Sequence, residues 1–149
     1  MLYKRNLLGW FIFVTLLIAT GYFLFTQVQK STFFQEYNKL ILGIVAIFLA
    51  FSPVFYVFTY SNNEIKEIIV KISIKKDYDF YFKKSLIFSF LILITSLFAV
   101  IISYLEINEI YTKAYTILTS ISISSTITAL YWIYLFGKLS IQMISELIN

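Results

Sequence analysis

The residues of this chain best suited to chemistry are two aspartates, Asp77 and Asp79, and two glutamates, Glu106 and Glu109. An Asp-x-Asp pair can hold a metal–phosphate, as in enzymes that act on sugar nucleotides. That chemistry also draws on further carboxylates, His or a Gly-rich loop, and none of these surrounds Asp77-Tyr-Asp-Phe-Tyr-Phe82. The stretch reads instead as an elbow at a membrane surface, with aromatic residues at headgroup depth. Glu106 and Glu109 would share one face of a continued helix and could offer oxygens to a hard cation. Two carboxylates alone make a weak site, so a solvated acidic turn is the better reading. The chain has no His, the commonest general base and transition-metal ligand, and no Cys for thiol chemistry or disulfides. No phosphate loop and no internal repeat of 20–50 residues is present. The residue types predict a non-enzymatic protein with no catalytic, cofactor or metal site.

Hydroxyls are the most concentrated polar groups. Eight Ser and Thr residues fall between Thr116 and Thr128. Thr116, Ser120, Ser124 and Thr128 recur at i, i+4, which places them along one helix face. Thr119, Ser122, Ser125, Thr126 and Ala129 widen that face. A matching stripe runs along Ser89, Ser96 and Ser103, flanked by Thr95 and Ala99. Two uses fit such stripes. Small residues let membrane helices approach closely, with hydroxyls bonding across the contact or back to their own i−4 carbonyls. Alternatively, they line a polar pore in an oligomer. Close packing is the favoured reading, with the two stripes meeting each other or copies in a neighbouring subunit of a homo-oligomer.

The elements that must carry these residues follow from composition. The chain has 149 residues, of which 60% are hydrophobic, 20% aromatic and only 13% charged. Soluble domains are usually about 25% charged, and a chain this short cannot hide so much apolar surface. Four runs lack Asp, Glu, Lys and Arg: residues 6–28, 40–60, 85–105 and 114–137. Each reaches the roughly 20 residues that a helix needs to cross a bilayer. In lipid each backbone N–H and C=O must be paired internally, so helices are expected, including at the strand-like alternation of 120–128. The first run could resemble a signal peptide after Lys4 and Arg5, but its length to Val28 fits a transmembrane helix better. The expected fold is an all-α integral membrane protein, one four-helix domain over residues 1–149. Ser52-Pro53 within the second span predicts a kink.

Orientation follows from the cations. With the N-terminus inside, Lys4, Arg5, Lys66, Lys71, Lys75, Lys76, Lys83, Lys84 and Lys138 lie on the cytoplasmic side. Only Lys30, Lys39 and Lys113 lie outside, a bias that places both termini in the cytoplasm. It also accounts for the net charge of +4 without nucleic acid. Trp10, Tyr56, Tyr60, Tyr131, Trp132 and Tyr134 would form the inner aromatic belt, and Tyr37, Tyr104, Tyr111 and Tyr115 the outer one. The outer connections, about 29–39 and 106–113, are expected to be short surface segments.

The inner connection, 61–84, carries most information. Ser61-Asn62-Asn63-Glu64 reads as a helix start. Ile65, Ile68, Ile69 and Ile72 then follow the spacing of an amphipathic helix, supported by Glu67 and Lys71 at i, i+4. Its cations Lys66, Lys71, Lys75 and Lys76 can face anionic lipid on the inner leaflet. Its Ile face can dock on the ends of the spans or on a cytosolic partner.

Ile, Phe, Tyr, Lys and Asn are abundant, as in translation of an AT-rich gene, which suggests a bacterial cytoplasmic membrane. The hydropathy of the whole chain, four spans with one structured inner loop, resembles the small membrane components of bacterial conflict systems. These include toxin-immunity proteins and the four-helix subunit of two-gene antiphage systems such as Kiwa. The resemblance implies a sensor, anchor or immunity protein in phage or toxin defence. It also implies a cytosolic effector encoded beside it that docks on the inner loop and termini. An oligomeric channel or membrane-permeabilising effector, and an accessory subunit of a transporter complex, are the alternatives.

Overall fold

The computed structural model describes residues 2–27, 32–71, 74–105 and 109–148. They form five helices: α1 Leu2–Gln27, α2 Thr32–Ser61, α3 Asn63–Lys71, α4 Lys75–Ser103 and α5 Glu109–Ile148. Among the described residues there is no strand. Four of the helices, α1, α2, α4 and α5, are long and apolar enough to cross a membrane.

All four long helices overrun the uncharged runs, and for α2, α4 and α5 the reason is packing. The stretch 32–39, expected as a surface connection, is the start of α2. Asn38, Val45, Ser52 and Thr59 are its buried residues, seven apart. That spacing is one seam of a coiled-coil type, and the seam begins at Asn38. Residues 77–82, expected as an elbow, are the early turns of α4. Tyr78 continues the buried line Ser85, Ile92 and Ala99, and Tyr81 and Phe82 begin the one beside it. Charges there end the apolar run but not the helix. α5 continues past Gly137 for the same reason: Met143 is buried. At 40 residues it is about 60 Å long, twice the roughly 30 Å of a hydrocarbon core.

α4 and α5 form the central pair. α1 packs chiefly on α5, and α2 on α4. The main core gathers Phe13 of α1, Val45 of α2, Tyr81, Phe88 and Ile92 of α4, and Ala129 and Trp132 of α5. The outer faces of α1 and α2 expose large apolar residues, among them Phe11, Ile18, Phe51 and Val54. Patches of that kind are rare on soluble monomers and ordinary against lipid tails. α2 runs helically through Pro53, whose ring faces outward. Proline has no N–H, so one bond of the α2 ladder is missing at this point.

Asn62 starts α3. Its side-chain oxygen accepts from the backbone N–H of Glu64 at 3.0 Å and of Ile65 at 3.3 Å, satisfying two donors that a helix start leaves open.

Candidate functional site: the buried hydroxyls and the basic end of the bundle

The hydroxyls of α5 between Thr116 and Thr128 are buried inside the single chain, except that of Thr126, which is half-buried. Thr116, Ser120, Ser124 and Thr128 each donate to the carbonyl four residues earlier, at 2.7–2.9 Å. This row faces α1: Thr20 Oγ1 lies 3.2 Å from Ser124 Oγ. A second row meets α4, where Ser96 and Ser122 share a bond of 2.7 Å. Ser89 is buried in α4, while Ser103 is half-buried and donates to the Val100 carbonyl at 2.7 Å. A third side of α5 meets α2. Asn38 Nδ2 donates to Thr119 at 3.1 Å, and the Tyr37 and Thr126 hydroxyls are 2.8 Å apart. The stripes of α4 and α5 therefore touch at Ser96 and Ser122, whereas the 116–128 row is taken by α1. Thr20 is a single hydroxyl between apolar residues, and Asn38 stands in the polar stretch before the second uncharged run, so no periodicity marks either.

Trp132 was placed at an aromatic belt by sequence, yet it is 1% exposed. Its indole lies against the α1 backbone at Gly9. A β-carbon built on Gly9 would stand 2.2 Å from Trp132 Cζ2. The absent side chain of Gly9 is what admits the indole. Tyr81 stacks on its other side, with ring centroids 5.9 Å apart and planes at 30°.

The pairs Gly9–Trp132, Thr20–Ser124, Ser96–Ser122 and Asn38–Thr119 fix the helix registers. Along these registers Arg5, Asp79, Tyr56 and Tyr60 fall near the level of residues 137–141 of α5, where its uncharged run ends. They form a polar ring. The Arg5 guanidinium donates to the Tyr81 hydroxyl, and its Nη1 is 3.9 Å from the Asp77 carboxylate. Asp79 accepts from Tyr56 at 2.9 Å and also from Tyr60. The two aspartates thus tie α4 in different directions, Asp77 to α1 and Asp79 to α2. Residues two apart on a helix do not face each other, so the Asp-x-Asp spacing does not make a shared site here. Lys84 Nζ sits 5.6 Å from the Trp10 ring centroid and 5.5 Å from that of Phe80. Among the described residues no three acidic side chains converge as metal ligands do. Glu106 lies outside the described residues, and the side chain of Glu109 is not among those described.

Beyond this ring stands a second, smaller core. Ile69 of α3, Ile74, Tyr78 of α4 and Met143 of α5 are buried together, with Ile65 against them. Ile69 is fully inaccessible, and Ile65 and Ile68 are half-buried. The Ile face of α3 is thereby occupied by the chain itself. Lys66, Glu67, Val70, Lys75 and Lys76 are exposed around it. Ile72 lies outside the described residues; Lys71 ends α3, and its side chain is not among those described.

No protein-family model matches this chain, and neither a curated protein nor a solved structure matches it.

Proposed function

We propose that this is a non-catalytic protein of a bacterial cytoplasmic membrane that acts by contact, with both termini in the cytoplasm. α1, α2, α4 and α5 cross the bilayer. α3 and the end of α5 present a small platform to the cytosol. The observation that carries this reading is the second core of Ile69, Ile74, Tyr78 and Met143. It lies beyond the uncharged runs, at the end where nine of the twelve cations fall. A mere connector has no need of a core of its own. A platform that holds Lys66, Lys75 and Lys76 in fixed positions can engage an acidic partner protein. The architectural resemblance makes that partner a cytosolic effector in a defence system. The 116–128 hydroxyls support contact rather than conduction, because they face other helices of the same chain and bond back to their own backbone.

The chain has no Cys, so single cysteines report topology without background. Cysteines at Lys75 and Ser145 are expected to label only after the membrane is opened. One at Glu36 is expected to label in intact cells. External labelling at Lys75 would overturn the orientation. With topology established, Lys75→Glu and Lys76→Glu together are expected to abolish co-purification of the partner while the spans stay inserted. Unchanged co-purification would reduce the platform to a connector.

A further inference from the structure

We propose that Asp79 and the groove above it bind a phospholipid with a primary ammonium headgroup, ethanolamine being the simplest. The ammonium sits at the carboxylate and one acyl chain lies in the groove. The inference rests on the membrane placement of the four long helices but not on their orientation.

The carboxylate comes first. Asp79 is half-buried, and its Oδ1 accepts from both Tyr56 and Tyr60. No described Lys or Arg pairs with it, whereas Asp77, two residues away, has Arg5. Lys75 and Lys83 stand one turn to either side of Asp79, exposed and not paired with it, so this partly desolvated carboxylate can take a cation from outside the chain. Its surroundings are aromatic: Tyr56, Tyr60 and Tyr78 pack on one another with ring centroids 4.8–6.3 Å apart. Aromatic faces attract ammonium groups, the more so when desolvated. A primary ammonium also brings three N–H donors to the lone pairs that the tyrosines leave free on the carboxylate. A quaternary ammonium brings none, and a phosphate alone would be repelled.

The groove adjoins this group through one ring contact. Tyr56 stacks on Phe82, with centroids 4.3 Å apart and planes at 11°. Phe82 is one wall of a groove of about 230 Å³ between α2, α4 and α5, with Phe51, Phe55 and Phe136 as further walls. Ser52 lies at the groove as well, its hydroxyl buried and without a partner. This is the seam position beside Pro53, where a small side chain leaves space that Val45 fills one heptad earlier. Walls this apolar do not hold water, and the surrounding medium at this depth is acyl chain. The register puts Asp79 at the end of the α5 uncharged run, which is headgroup depth.

The test is native mass spectrometry of the full chain released from nanodiscs containing equal ethanolamine, choline and glycerol phospholipids. The wild type is expected to retain one ethanolamine lipid, enriched about tenfold over the others, the order of one desolvated cation contact. Asp79→Asn is expected to bring the three lipids to parity, and Asp79→Glu to restore most of the preference. Asp77→Asn is expected to leave it unchanged. Ser52→Phe, which fills the groove without touching Asp79, is expected to lower retention at least severalfold. An inserted wild type that shows no ethanolamine preference would overturn the site while sparing the functional reading. So would a preference that survives Asp79→Asn, or retention untouched by Ser52→Phe. Absence of insertion would sink the functional reading first.

Discussion

At the residue scale, two glycines of α1 separate close approach from mere small size. A β-carbon on Gly9 would stand 2.2 Å from one atom of Trp132 and 2.9 Å from another. The indole cannot retreat, because Tyr81 stacks on it and Phe80 meets it edge-on at 5.7 Å. Gly9→Ala is therefore expected to destabilise by about 1–3 kcal/mol, the range for overpacking a filled core. At Gly21 the nearest atom, Ser120 Oγ, is 3.9 Å away, an ordinary contact. Gly21→Ala is expected to be neutral or slightly stabilising, since Ala has the higher helix propensity. Thermal unfolding of both variants in detergent checks the contrast. Equal effects would mean that Trp132 does not lie against α1. Neither the role of Gly9 nor the burial of Trp132 was legible in the sequence. A glycine near a span's end and a tryptophan at belt depth each have a more common use, and only the register between α1 and α5 brings them together.

At the scale of elements, the hydroxyl row of α5 makes a size argument. Its hydroxyls are already satisfied by their own i−4 carbonyls, and interhelical bonds in lipid average about 0.6 kcal/mol. Thr20 likewise keeps a bond of 2.7 Å to the Leu16 carbonyl whatever stands at position 124. Ser120→Ala with Ser124→Ala is therefore expected to cost under about 1 kcal/mol. Ser120→Leu with Ser124→Leu is expected to push α1 off α5. Cross-linking between single cysteines on α1 and α5, beside thermal unfolding, distinguishes the two. Loss of packing in the Ala variant would mean that polarity, not size, holds the contact. The i, i+4 row and its self-bonding were readable from spacing alone. That the row meets α1 was not, because the stripe Ser89, Ser96, Ser103 was the obvious complement and Thr20 stands alone among apolar residues. Helix ends were misread for a related reason. The last uncharged residue ends the apolar run, but burial of Asn38, Tyr78 and Met143 decides where the helix stops.

At the scale of the whole molecule, the chain divides into a body within the span of the uncharged runs and a platform outside it. The body draws on all four long helices. The platform rests on α3 and the ends of α2, α4 and α5, and its buried apolar set is small: Ile69, Ile74, Tyr78 and Met143. α3 has only nine residues, too few for a helix to persist in water without tertiary support. Its stability therefore depends on the side chains it meets on α2, α4 and α5. Met143→Ala removes one of them, and a buried Met→Ala change costs about 2–5 kcal/mol. That loss falls on a few contacts beyond the uncharged runs, not on the body. Two outcomes are expected together in the Met143→Ala protein. Hydrogen exchange over residues 63–71 accelerates by at least tenfold, as local opening of a small unit becomes easier. Exchange through residues 85–103 and the labelling topology stay as in the wild type. If α3 stays protected, its support comes from α2, α4 or the lipid surface rather than from Met143. If α4 loosens with it, platform and body are one cooperative unit, and a partner bound to the exposed lysines would be felt across the membrane.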